Sequence, residues 1–250
     1  MHASADTLCR APLAAVHWSE GAPEAPATPM LERHIDADVV IVGAGFSGLT
    51  AALALAEAGR DVVVLDAAEP GFAASGRNAA HVAPMFWGMK KTPAQMLARF
   101  GPELGGRMNR MAALSGASLF DLIDRHAIAC DARRGGYACV ARTPASLAKL
   151  LAGLEAWRPY GGRFEPVSRH DLDRHVASPR YAGGVILTDG GSVNPLALSR
   201  GLARAAIAAG ACIHGVSPAI SVSRDGGLWT MRTPQGSVRS RVLLVCAGAY

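Results

Sequence analysis

Aromatic residues make up only 6% of the chain and charged residues only 18%, although half of the residues are hydrophobic. A core with so few rings must be filled by small aliphatic side chains. The 28 glycines suit tight packing of helices on a sheet. The five cysteines (Cys9, Cys130, Cys139, Cys212, Cys246) form no CxxC pair. An odd, dispersed set excludes a disulfide framework and implies reduced thiols in a cytoplasmic setting. No run of basic residues stands out: 25 basic and 20 acidic residues leave a net charge of +5, with the arginines scattered. That pattern reads as a solvated surface with a phosphate contact or two, and it excludes a nucleic-acid-binding stripe. A basic segment followed by an apolar one is missing from the N-terminus, so no signal peptide is expected. Residues 1–36, rich in Ala, Pro and Glu, read as a flexible arm. Residues 39–56 carry no charge, but Gly43, Gly45 and Gly48 interrupt them, and β-branched residues give way to Ala and Leu. Strand, turn and helix explain that order better than a membrane span.

What is there is organised as alternating strands and helices. The length allows one large domain or two small ones. Residues 38–42 read as a buried strand, 46–58 as a helix ended by Gly59, and 61–65 as a second buried strand with Asp66 at its end. Residues 74–83 read as a loop, and 92–126 have helical spacing broken at Gly101-Pro102 and Gly105-Gly106. A strand over 136–141, a helix over 144–157 and a strand over 181–187 follow. Asn194-Pro195 then caps a helix to residue 209. Strands are expected over 211–222, 228–233 and 241–247. The closing run VLLVCAGAY is as apolar as a strand with neighbours on both sides, which implies that the chain is a fragment or is completed by a partner.

The motif that carries chemistry is Gly43-Ala44-Gly45-Phe46-Ser47-Gly48, a GxGxxG between strand and helix. Gly43 permits the turn out of the strand, Gly45 lets backbone approach a pyrophosphate, and Gly48 lets the helix pack close to the sheet. The helix N-terminus offers N–H groups and a positive dipole end to phosphates. Asp66, 18 residues after Gly48, stands where a carboxylate accepts from the ribose hydroxyls. NAD and FAD share this adenosine half, so the loop by itself does not choose between them.

Beyond Asp66 the chain reads EPGFAASGRNAAHVAP. Here it resembles the FAD-dependent amine and amino-acid oxidoreductases of the D-amino-acid oxidase superfamily, in particular the γ-glutamylputrescine oxidase-like branch. That branch typically carries Gly-Ala-Ser-Gly-Arg-Asn-Gly-Gly-Gln at this point. The present chain keeps Ala74, Ser75, Gly76, Arg77 and Asn78, then departs with Ala79, Ala80 and His81. DGGSVNPLALSRGLARAAIAAGACI and RVLLVCAGAY are also similar to family segments, and the resemblance extends over residues 36–250.

The resemblance implies an α/β fold: a Rossmann-like FAD-binding domain (residues 37–90 and 189–250) interrupted by an α+β substrate domain with an antiparallel sheet (91–188). Family members continue well past this point. It implies FAD as cofactor, with residues 74–80 running along the pyrophosphate and ribityl chain. Ser75 would donate to a phosphate oxygen and Arg77 would form a charge-assisted fork with it, unless Arg77 makes a surface salt bridge instead. Ala219 falls where backbone meets the adenine, and Ala247 and Gly248 match a second cofactor-facing turn. The implied reaction is oxidation of a C–N bond of a small-molecule amine or amino acid. A hydride passes to flavin N5, the imine is hydrolysed, and oxygen reoxidises the flavin. A dedicated acid–base pair is not required, because the cofactor carries the chemistry.

The remaining candidates are weaker. His81 is a near-flavin candidate for the substrate pocket, or a packing histidine beside Pro84. Phe86 and Trp87 either wall that pocket or belong to the core. His170, Asp171, Asp173 and His175 look like metal-ligand material, but positions i and i+5 face different sides of a helix, so they read as a solvated helix start and no metal is expected. Two alternatives stay open. An NAD-dependent dehydrogenase shares the first loop but has no need of Ser75-Gly76-Arg77-Asn78. A nucleotide-binding fragment without turnover fits the abrupt end of the chain.

Overall fold

The structure is a computed structural model that describes residues 16–85 and 91–248. Its elements in chain order are β1 (His34–Val42), α1 (Phe46–Glu57), β2 (Val62–Leu65), β3 (His81–Val82), α2 (Pro93–Arg125), β4 (Tyr137–Ala141), α3 (Pro144–Glu155), β5 (Phe164–Ser168), α4 (Arg169–Leu172), β6 (Gly183–Leu187), β7 (Gly191–Ser192), α5 (Pro195–Ala208), β8 (Cys212–His214), β9 (Ser221–Asp225), β10 (Leu228–Arg232) and β11 (Ser237–Val245). The chain divides into two compact units. One takes residues up to Ala79, Ile128–Cys130, and the stretch from Asn194 on; the other takes Ala80–Ala127 and Asp131–Val193.

The first unit is built on a six-stranded sheet in the order β8-β2-β1-β11-β10-β9. β8, β2, β1 and β11 run parallel, and β10 and β9 add an antiparallel meander at one edge; β11 leaves Val242 and Val245 exposed, so the closing apolar run is not buried on both sides as its sequence suggests. β2 is buried at all four positions. The β9–β10 turn is Gly226-Gly227, both at positive φ (54° and 83°), the geometry of a two-residue hairpin whose twist matches its strands. Helices α1 and α5 lie against each other, rich in Ala and Leu on the buried sides. Asn194 caps α5, its Oδ1 accepting from the Ala197 N–H at 3.0 Å.

β1 starts four residues before the apolar run that announces it. The extension alternates polar His34 and Asp36 with Ile35 and Ala37, which pack on the core, and it is held by its partner strand: Arg239 makes a two-pronged ion pair with Asp36 at 2.8 and 3.1 Å, and the His34 ring meets the Ser237 hydroxyl. The stretch expected to be one strand over 211–222 is two, β8 and β9. Pro218 cannot donate to a ladder, and Val216 turns at φ 48°, so the chain breaks there.

Residues 16–33, expected as part of a flexible arm, are tied to this first unit. Leu31 is fully buried, and its N–H donates to Ser217 Oγ at 2.9 Å. Arg200 and Arg204 donate to the carbonyls of Pro23 and Glu24 at 2.9 and 2.8 Å. Pro-rich composition removes regular structure but not side-chain and carbonyl anchors, which is why composition misjudges this segment.

The second unit has a three-stranded antiparallel sheet, β4-β6-β5, and a two-stranded one, β3-β7. Its core joins Met85, Ala112, Ala113, Cys139, Leu154, Trp157, Phe164, Val185 and Leu187. α2 opens with a capping box between Thr92 and Gln95, and kinks at Gly101 (φ 77°, ψ 169°) before Pro102. No break occurs at Gly105-Gly106. A Cβ on Gly105 would lie 2.7 Å from the Met96 carbonyl oxygen, so this glycine serves close packing of the two helical segments. β5 is absent from the sequence reading because Pro166 interrupts its pattern. It lies at a sheet edge, where proline is tolerated. Among the described residues, no helix is long and apolar enough to cross a membrane.

Candidate functional site

The GxGxxG loop lies at the carboxyl end of β1, where β2 flanks the strand on one side and β11 on the other. A crevice at such a switch point is where open α/β sheets bind ligands. Gly43 turns at φ 107°, and a Cβ there would come within 2.6 Å of the Cys246 carbonyl oxygen and 3.1 Å of the Ala247 nitrogen. The turn after β1 and the turn after β11 therefore touch through backbone. The Cys246 N–H donates to the Val42 carbonyl at 2.7 Å, and Gly248 follows at φ 67°. Ala247 and Gly248 are thus brought to the first glycine loop.

Gly48 is inside α1, and a Cβ there would sit 1.9 Å from the Gly43 carbonyl oxygen. The helix starts this close to the strand only because that Cβ is missing. Gly45 precedes the helix, and a Cβ there would come 2.8 Å from Ser75 Oγ. That hydroxyl accepts from the Phe46 N–H at 3.0 Å, which places the serine of the second motif over the first turn of α1. Ser47 and Gly48 are the next residues of that turn, where N–H groups have no acceptor inside the helix.

Asp66 is the polar hub. Its Oδ2 accepts from the Ala44 N–H at 2.6 Å and its Oδ1 from the Ala68 N–H at 2.9 Å. Burial pushes its carboxyl up, and the two backbone bonds oppose that rise. Each carboxylate oxygen keeps a lone pair for another donor. The Asp66 carbonyl also accepts from Ser217 N–H at 2.7 Å, which ties the exposed loop carrying Ala219 to the end of β2.

The serine–arginine segment folds on itself. Gly76 is packed so that a Cβ would meet the Gly71 carbonyl oxygen at 2.1 Å, and the Gly71 N–H donates to Ala44 O at 3.0 Å. The Arg77 guanidinium stacks 4.9 Å over the Phe72 ring and donates from Nε to Phe72 O at 2.6 Å, contacts that tie the arginine to its own loop. Asn78 Nδ2 donates to Ser75 O at 3.0 Å. Ala79 is exposed, and Ala80 turns at φ 65°. Gly43, Gly45, Phe46, Ser47, Gly48, Asp66, Ser75, Gly76, Arg77 and Asn78 thus lie in one connected region of the first unit. Three partners in it were not read from the sequence: Ala44, Gly71 and Trp18, whose indole N–H donates to Asn78 O. Gly71 was legible in EPGFAASG as a close-approach glycine; Trp18 left no such signal.

His81 is exposed at the start of β3 in the second unit. It pairs in register with Ser192 and sets its ring edge-on to Tyr137, with 5.3 Å between centroids. Together with Arg133, Gly136 and Gly191 these residues line a cavity of about 250 Å³. Phe86 and Trp87 lie outside the described residues. His170 and Asp171 fall in α4, a short helix capped by Ser168, with Arg169 paired to Asp173 at 2.8 Å.

The pattern of the DAO family, FAD dependent oxidoreductase, matches residues 38–250. The gamma-glutamylputrescine oxidoreductase of Escherichia coli (strain K12) is 34% identical over 221 residues, which cover 88% of this chain and 51% of that protein. The chain spans about half the length of the curated relatives it matches. A similar fold is found in glycine oxidase from Geobacillus kaustophilus, with a TM-score of 0.68 and 22% identity over 86% of this chain and 56% of that one. It is also found in L-amino acid deaminase from Proteus myxofaciens, with a TM-score of 0.72 and 18% identity over 91% and 48%. At such identities the likeness is one of fold.

Proposed function

The chain belongs to the DAO family of FAD-dependent oxidoreductases, and on that premise we propose that it binds FAD through its first unit and oxidises a C–N bond of a small amine or amino acid. The family decides for FAD between the two dinucleotides that share the adenosine half. The observation that carries the reading is the cluster at the start of α1. Side chains are missing at Gly43, Gly45 and Gly48, where a Cβ would meet backbone or Ser75, and Ser75 and Asp66 flank the helix end. These residues fit the ADP half of FAD.

In this reading the N–H groups of Ser47 and Gly48 hold the pyrophosphate at the positive end of α1. Ser75 trades its bond to Phe46 for a phosphate oxygen. Asp66 accepts from the ribose hydroxyls, and its carboxylate disfavours a phosphate there. Ala219, Ala247 and Gly248 approach through backbone. Residues 76–79 line the path towards the flavin, and His81 belongs to the substrate pocket. When bound, FAD would supply the two-electron acceptor for oxidation of the carbon next to nitrogen; the imine product would be hydrolysed by water, and oxygen would be the terminal acceptor, leaving as peroxide. The two glycine-bearing turns exclude water from the pyrophosphate by bringing backbone against it.

The test is direct. Purified protein should show flavin absorption near about 370 and 450 nm, set by the cofactor itself, and should release peroxide with some member of a panel of amines and amino acids. Colourless protein that cannot be reconstituted with FAD would overturn the binding reading. Flavin-loaded protein inert to the whole panel would overturn the proposed reaction alone.

A further inference from the structure

Among the described residues, Trp18 joins the N-terminal segment to the loop over residues 74–80. The half-buried Trp18 donates from its indole Nε1 to the Asn78 carbonyl at 3.0 Å, across 60 residues of sequence. Trp18 is itself anchored: its carbonyl accepts from Asn194 Nδ2 at 3.0 Å, while Asn194 Oδ1 caps α5. A relay therefore runs from the α5 N-cap through Trp18 to the peptide between Asn78 and Ala79. The described peptide bonds are all trans, so the Ala79 N–H points opposite to the Asn78 carbonyl. Fixing the carbonyl towards the arm turns the Ala79 N–H away from it. That N–H finds no acceptor among the described residues, and Ala79 is exposed. The next residue, Ala80, holds φ 65°, a conformation an L-residue keeps only where its surroundings impose it.

We infer that Trp18 is a positioning residue for the cofactor: its indole N–H orients the 78–79 peptide so that the Ala79 N–H is presented as a donor to bound FAD. The inference rests on the reading that residues 74–80 line the FAD path. It gives the N-terminal segment a role in cofactor retention that its composition conceals.

The experiment uses the apoprotein of the 250-residue chain, titrated with FAD, with quenching of flavin fluorescence for Kd and the visible circular dichroism of the bound flavin for its environment. Trp18→Phe keeps a ring and removes the donor. It should weaken FAD about fivefold, the effect of one neutral N–H···O bond, and alter the visible dichroism, with the apoprotein's Tm unchanged. Asn194→Asp keeps the cap and removes the Nδ2 donor to Trp18, and should shift both readouts in the same direction by less. It also serves if Trp18→Phe fails to fold. A Trp18→Phe protein with wild-type Kd and dichroism would overturn the inference, as would a loss of FAD affinity accompanied by a matching drop in apoprotein Tm. Gly45→Val separates the two levels. If it abolishes FAD binding while Trp18→Phe does nothing, only the role of Trp18 falls. If it binds FAD normally, the site itself is wrong.

Discussion

Adding one methyl group inside α1 pits helix propensity against packing. In Gly48→Ala the propensity side is favourable by about 1 kcal/mol, because glycine in a helix interior is poor. Against it stands a Cβ only 1.9 Å from the Gly43 carbonyl oxygen, when ordinary contact begins at 3.4 Å. The missing 1.5 Å (3.4 minus 1.9) must come from moving α1 off the turn. The turn cannot yield easily, since Gly43 donates to Leu65 O at 2.8 Å and Leu49 to Gly45 O at 2.9 Å. Overpacking against backbone costs about 1–3 kcal/mol, and this clash belongs at the upper end. The net expectation is a loss of about 1–2 kcal/mol, or roughly 2–8 °C in Tm at this chain length. Gly45→Ala is the control. Its methyl meets the end of a rotatable side chain, Ser75 Oγ at 2.8 Å, so only the bond to Phe46 is lost, worth about 1 kcal/mol or less. Thermal unfolding of the two apoproteins should therefore rank Gly48→Ala below Gly45→Ala, while FAD binding should fall in both. A Gly48→Ala protein more stable than wild type would mean that propensity governs and that α1 does not pack on the turn as described.

Other consequences concern charge, strain and thiols. The Asp66 carboxyl is raised by burial, so the fold favours its protonated form. Its ionisation subtracts stability as pH climbs from the ordinary carboxylate range through the raised value, and that subtraction is absent at lower pH. FAD affinity, which uses the carboxylate, should fall as pH drops through the same window in wild type and stay flat in Asp66→Asn; equal pH profiles in the two would refute the assignment. Ala80→Gly should be nearly neutral in chemical denaturation: relief of about 1–2 kcal/mol of left-handed strain is offset by about 0.8 kcal/mol for the buried methyl and about 0.5–1 kcal/mol of backbone entropy. A loss beyond about 1.5 kcal/mol would show that the methyl packs for more than burial suggests. Burial pushes the Cys139 thiol up to about 11, and Cys212 is exposed. Aromatic disulfide reagents should label Cys212 in the native protein and leave Cys139 until unfolding, and the reverse order would contradict the placement of β4 and β8.

The βαβ unit and its glycines were legible because their cause is local. A buried parallel strand needs an apolar run, and a backbone-to-backbone approach needs glycine, so residues 38–66 announce themselves. Ser75 was legible only through family resemblance, since nothing in its neighbours says that its hydroxyl meets the Phe46 N–H 29 positions away. The first four residues of β1 are held through Arg239, 203 residues on from Asp36, and an ion pair across that separation leaves no local trace. Trp18 is the extreme case: a single aromatic in a proline-rich stretch looks incidental until Asn78 and Asn194 are seen on either side of it. Gly105 misled for the opposite reason, because a residue that breaks many helices here permits two helical segments to touch.

The central claim is that FAD lies with its diphosphate on the N-terminus of α1 and its isoalloxazine end beyond Ser75. A crystal structure of the protein with FAD tests it most directly. The account predicts the diphosphate against the N–H groups of Ser47 and Gly48, the ribose on Asp66, and the ring system past Asn78 and Ala79. A dinucleotide bound elsewhere, or a ring system directed away from residues 75–79, would contradict it.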